Sequence, residues 1–121
     1  MKTGITTHIL DLANGKPASN IKVELWKWVQ TEGKESKKDF IASGRTNDDG
    51  RVDSILLETI ATGEYELLFF IEDYFKDNSK KGEESPFLQI IPIRFFAASE
   101  EKHYHIPLLI SPWGYQTYRG S

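Results

Sequence analysis

From Ile21 to Val29 the chain alternates apolar and polar side chains almost without a break, and a two-residue period of this kind belongs to a half-buried β-strand, not a helix. It puts Ile21, Val23 and Leu25 on one face and Lys22, Glu24 and Trp26 on the other. Comparable short runs recur at Ile5 to Leu12, Phe40 to Thr46, Glu64 to Ile71, Phe87 to Ala97, His103 to Ile110 and Trp113 to Tyr118. Pro92 inside the run Phe87 to Ala97 argues for a sheet edge or a bulge. Between the runs lie turn signals: Asn14-Gly15-Lys16-Pro17, the charged stretch Thr31 to Asp39 (expected to be a solvated hairpin loop), Asn47-Asp48-Asp49-Gly50, Thr62-Gly63, the polar Lys80 to Ser85, and Ser111-Pro112. Only Glu72 to Asn78 suggests one or two helical turns. The pattern predicts an all-β, antiparallel β-sandwich of seven to eight strands with one short helix, a single domain over residues 1–121.

Composition removes several classes of function. With no cysteine there is no disulfide framework, zinc-thiolate site or thiol nucleophile. Fifteen Lys and Arg are scattered among eighteen acids for a net charge of -3, so nucleic acid is not an expected partner. Met1 to Asp11 lacks the basic start and apolar run of a secretory signal, and no stretch approaches the roughly twenty apolar residues of a membrane helix. A cytoplasmic location without a membrane partner is expected.

Parity along the strands sorts the residues able to do chemistry. On the first strand His8 shares a face with Thr6 and Leu10, opposite Ile5, Thr7 and Ile9. On the penultimate strand Tyr104, Ile106, Leu108 and Ile110 form a continuous apolar face suited to the core, which turns His105 outward beside Pro107 and Leu109. That outward face is apolar enough to be covered by another subunit, where a desolvated imidazole could have a tuned pKa. His103 reads as an ordinary surface residue and Arg51 as a solvated cation after a turn, with no spacing to connect it to the histidines. The terminal Tyr118-Arg119-Gly120-Ser121 follows an aromatic strand closely enough to be anchored. No His-Glu-x-x-His, cysteine pair, glycine-rich phosphate loop or Gly-x-Ser-x-Gly elbow occurs, so neither a metal nor a cofactor is expected.

Three segments carry a resemblance. His8-Ile9-Leu10-Asp11-Leu12-Ala13-Asn14-Gly15-Lys16-Pro17-Ala18 is similar to the N-terminal signature of the family shared by transthyretin and the 5-hydroxyisourate hydrolases, and its leading His resembles the enzymes, where the hormone carrier has Lys. The block from His103 to Ser121 resembles the C-terminal signature and closes on the Tyr-Arg-Gly-Ser ending of the hydrolases. Thr46 to Arg51 places an Arg after Asp-Gly, as the family does at its catalytic position. The likeness spans essentially the whole chain. Gln116 where many members have Ser, Ile110 where Leu is usual, and charged enlargements at Thr31 to Asp39 and Asn78 to Glu84 depart from it.

The resemblance implies a transthyretin-like subunit in a homotetramer with sites where dimers meet. It also implies metal-independent hydrolysis of 5-hydroxyisourate to 2-oxo-4-hydroxy-4-carboxy-5-ureidoimidazoline, in urate degradation. Its expected catalytic residues are His8, Arg51, His105 and Ser121, with His8, Arg51 and Tyr118 binding the substrate. One of His8 and His105 would be the general base and the other a positioning or proton-donating group, Arg51 would stabilise developing negative charge, and Ser121 would act through its hydroxyl or a terminal carboxylate. The alternatives are a carrier holding a small aromatic ligand in the same channel, or a monomeric interaction module with these residues dispersed.

Overall fold

The computed structural model describes residues 4–33, 35–52, 56–78 and 85–121. Its elements are β1 (Gly4–Asp11), β2 (Lys16–Pro17), β3 (Lys22–Val29), β4 (Lys37–Arg45), β5 (Gly63–Phe70), α1 (Glu72–Asn78), β6 (Ile90–Ala97), β7 (His103–Ile110) and β8 (Tyr115–Thr117). They form two four-stranded sheets ordered β2-β1-β7-β8 and β4-β3-β5-β6. One apolar cluster lies between them. Ile5 and Ile9 of β1 and Tyr104, Ile106, Leu108 and Ile110 of β7 meet Val23 and Leu25 of β3 and Tyr65, Leu67 and Phe69 of β5. These are the alternate positions that the two-residue period assigns to one face. Among the described residues no helix is long and apolar enough to cross a membrane.

Among the described residues the strands pair antiparallel except β1 and β7, which run parallel from Gly4↔His103 to Asp11↔Ile110. Alternation specifies a face but not a direction, so this pairing could not be anticipated. It decides the site, because it lays the outward residues of β1 beside those of β7.

Several boundaries differ from the sequence expectation. Lys37, Lys38 and Asp39, expected in a loop, pair with Val29, Trp28 and Lys27 as the start of β4. Charged residues suit an edge strand, and here Lys38 has specific work: its Nζ is 3.1 Å from Glu66 Oε2 and lies over the Trp26 and Trp28 rings. Glu66, buried on the outward side of β5, also accepts a hydrogen bond from Trp28 Nε1 at 3.1 Å. β6 starts at Ile90 instead of Phe87 and is an edge strand, one of the two settings for which Pro92 argued. β8 is shorter than Trp113 to Tyr118, because Ser111 to Gly114 close a turn in which Gly114 N donates to Ser111 Oγ at 3.0 Å. The expected loop over Lys80 to Ser85 lies, apart from Ser85, outside the described residues.

At its far end β1 is tied to α1. The buried Asp11 carboxylate accepts from Tyr74 Oη at 2.6 Å and from Asn14 Nδ2 at 2.7 Å. Burial opposes the charged form of Asp11, but these hydrogen bonds outweigh it and hold its pKa below the ordinary carboxylate value. Burial and the hydrogen bond to Asp11 push the Tyr74 phenol strongly upward, so it stays a donor.

Candidate functional site

Parallel pairing puts Thr6 opposite His105 and His8 opposite Pro107 on the outward face of the β1–β7 ladder. A third segment reaches this face through the 47–50 turn. Asn47 Oδ1 accepts from the backbone N of Asp49 and Arg51, Gly50 N donates to Asn47 O, and Gly50 takes a φ of 78°, open to glycine at little cost. Gly50 also lets the turn lie close on β1: a Cβ there would be 2.4 Å from the Ile9 carbonyl oxygen, whose own residue donates its N–H to Gly50 O at 2.8 Å. Arg51 is thereby bridged to His8.

The tail supplies the fourth wall. Gly120 N donates to His105 O at 2.7 Å and Thr117 Oγ1 to Pro107 O at 2.8 Å, while the Arg119 guanidinium turns away onto the Tyr104 ring, 4.4 Å from its centroid. A Cβ on Gly120 would fall 2.8 Å from His105 Cδ2, so the backbone can lie flat on β7 only where no side chain intervenes. The expectation that the tail is anchored holds. Together these segments enclose a recess of about 350 Å³ lined by His8, Leu10, Arg51, His105, Pro107, Leu109, Tyr118, Gly120 and Ser121. All five residues singled out in the sequence, His8, Arg51, His105, Tyr118 and Ser121, line this one recess, so the dispersed arrangement of an interaction module is not what the fold produces.

The two imidazoles of the recess are held differently. His8 Nε2 donates to the Asp49 carbonyl at 2.9 Å, which leaves the lone pair of the neutral ring on Nδ1. Burial, and after it the Arg51 guanidinium, hold its pKa below the ordinary imidazole value, so His8 is neutral at pH 7. His105 Nδ1 lies 2.9 Å from Thr6 Oγ1, which is also 2.9 Å from His103 Nε2, and the two rings stack at 21° with centroids 6.2 Å apart. His103 is therefore wired to the recess through Thr6. Sequence reading passed over Thr6 and set His103 aside, although the parity that selected His8 and His105 also placed these two on the same outward faces. Among the described residues no group of three or more His, Cys, Asp and Glu is placed to hold a metal ion.

A recess with one neutral imidazole, a second imidazole on a hydroxyl, a guanidinium and a phenol can deprotonate water, bind a planar anionic ring and stabilise an oxyanion. Residues 5–120 match the profile of the HIUase/Transthyretin family. The chain belongs to that family. Within it, the chain is 47% identical to the 5-hydroxyisourate hydrolase of Halalkalibacterium halodurans over 123 residues, covering the whole of both chains. Among solved structures it is similar to the 5-hydroxyisourate hydrolase of Klebsiella pneumoniae, with a TM-score of 0.75 and 32% identity over 97% of this chain and 98% of that one. It is also similar to transthyretin from Sparus aurata, with a TM-score of 0.83 and 25% identity over 98% and 97% of the two chains. Both kinds of HIUase/Transthyretin protein thus share this backbone, and the shape alone does not choose between them.

Proposed function

We propose that this protein is a 5-hydroxyisourate hydrolase acting in urate degradation, with the recess over β1 and β7 as its active site. The observation that carries the reading is the convergence of His8, Arg51, His105, Tyr118 and Ser121, from four separate segments of the sequence, on one cavity. A carrier needs only an apolar channel; paired imidazoles beside a guanidinium suit a reaction in which protons move and negative charge develops.

In this reading His105 takes a proton from water, the water oxygen bonds to the ring carbonyl carbon, and Arg51 stabilises the negative oxygen of the tetrahedral intermediate. The carbon–nitrogen bond then breaks and His105 returns the proton to the departing nitrogen. His8, whose Nε2–H is held by the Asp49 carbonyl, positions the water or ring through Nδ1. Tyr118 covers the planar ring, and the Ser121 hydroxyl completes the hydrogen bonding. Metal independence is part of this reading, and the comparison with and without EDTA tests it.

The test is the decay of 5-hydroxyisourate, generated from urate by urate oxidase and followed by absorbance. Wild-type protein accelerates the decay with or without EDTA, whereas His105→Ala and Arg51→Ala each lose about a hundredfold or more in kcat/KM. Ligand binding without turnover by wild-type protein would instead make it a carrier.

A further inference from the structure

We infer that Thr6 and His103 are positioning residues for His105, linked to it by a proton relay through the Thr6 hydroxyl; this rests on the proposed role of His105 as general base. The geometry comes from the parallel ladder. Gly4↔His103 and Thr6↔His105 are in register, which seats the Thr6 side chain between two histidines two residues apart on the same face. Its Oγ1 is 2.9 Å from each, touching His103 at Nε2 and His105 at Nδ1.

A threonine hydroxyl has a single hydrogen. With both nitrogens at hydrogen-bonding distance, it donates to one and accepts from the other, so the two rings cannot choose tautomers independently. In the first arrangement His105 Nδ1–H donates to Thr6, and Thr6 donates to the lone pair on His103 Nε2. His105 then has its lone pair on Nε2, the form a general base needs. In the second, His103 Nε2–H donates to Thr6, Thr6 donates to His105 Nδ1, and His105 has its hydrogen on Nε2, the form of a proton donor.

The catalytic cycle uses both. As water loses a proton to His105 Nε2, the Nδ1 hydrogen passes to the Thr6 oxygen and the Thr6 hydrogen passes to His103 Nε2. Water becomes hydroxide, His105 ends neutral in its Nε2–H form, and His103, which already holds a hydrogen on Nδ1, becomes the cation. Collapse of the tetrahedral intermediate runs the relay backwards and delivers the proton to the departing nitrogen. The positive charge therefore rests on His103, which does not line the recess, instead of building up beside the Arg51 guanidinium on His105. Packing alone gives no reason for a hydroxyl here, since valine has the same shape on a half-buried strand position.

The experiment compares Thr6→Val, Thr6→Ser and His103→Phe, reading kcat and KM for 5-hydroxyisourate and the tautomers of His105 from ¹⁵N imidazole NMR of the free protein. Wild-type and Thr6→Ser share one dominant His105 tautomer and kcat within about threefold. Thr6→Val and His103→Phe each give a changed tautomer balance and a kcat lowered about tenfold or more at nearly constant KM. The same His105 tautomer balance in all four proteins overturns the relay, as does an equal kcat loss in Thr6→Ser and Thr6→Val. If wild-type protein does not hydrolyse 5-hydroxyisourate, the functional reading fails by itself, and the NMR comparison still decides whether Thr6 couples the two rings.

Discussion

At the scale of single residues, the electrostatics of the recess rest on how close Arg51 stands to His8. Burial depresses the His8 pKa most and the guanidinium adds to it, so Arg51→Gln removes only the smaller contribution. An NMR titration of the His8 ring should show its pKa rising in Arg51→Gln, because the guanidinium is lost while burial and the Asp49 contacts persist; an unchanged titration would mean the charge does not reach the ring. Gly120 offers a purely steric counterpart. Its Cβ would meet His105 Cδ2 at 2.8 Å and the Pro107 ring at 3.1 Å, both in fixed groups, so Gly120→Ala must lift the tail from β7. Being peripheral, the change should leave thermal stability within about 1 kcal/mol while kcat/KM for 5-hydroxyisourate falls about tenfold or more; retained turnover would show that Tyr118 and Ser121 need not be held in place. His8 and His105 were legible from parity and Arg51, Tyr118 and Ser121 from the family resemblance. Thr6 was not: a threonine on a strand is unremarkable until a register places it between two imidazoles, and register is a property of two strands.

At the scale of elements, the alternating strands were the legible part, since period two reports directly which face each residue takes, and β1, β3, β5 and β7 bury the faces it indicates. Lys37 to Asp39 misled because charge is read as solvent, whereas on an outward edge strand a lysine can lie over tryptophans and pair with the buried Glu66. What the alternation also omits is the polar tie between β1 and α1. Tyr74→Phe removes the donor 2.6 Å from the buried Asp11 carboxylate, which should cost roughly 1.5–3 kcal/mol at neutral pH by chemical denaturation. The pH dependence has a definite sign. Asp11 has a lower pKa folded than unfolded, so the unfolded chain binds more protons in the acid range; the carboxylate contributes its stability above the ordinary value and loses it as pH falls through the folded one. Because the Tyr74 hydrogen bond is the chief cause lowering that pKa, wild type and Tyr74→Phe should differ most above the ordinary carboxylate range and converge as the pH falls below it. A gap that stayed constant across that range would assign the loss to packing.

At the scale of the whole molecule, the recess of one protomer is open: Arg51, Tyr118 and Ser121 are exposed, Tyr118 by 59%. Around it the surface is apolar where a monomer would be polar, with Leu10, Pro107 and Leu109 lining the recess itself. Beyond the recess, Leu12, Phe96, Trp113 and Tyr115 are exposed, and among the described strands β6 and β8 both lie at sheet edges. Closing the outward face of β1 and β7 against another copy would dry the imidazoles, strengthen the field of Arg51 and trap the substrate between subunits, three effects that one act of association delivers together. Activity should therefore depend on assembly. Sedimentation should give a particle of four times the 13.9 kDa chain, and specific activity should fall on dilution over the same concentrations at which that particle dissociates. Tyr115→Glu charges an exposed edge position outside the recess, so it should shift both curves to higher concentration together, whereas a fully active 13.9 kDa species would show that a single protomer completes the site.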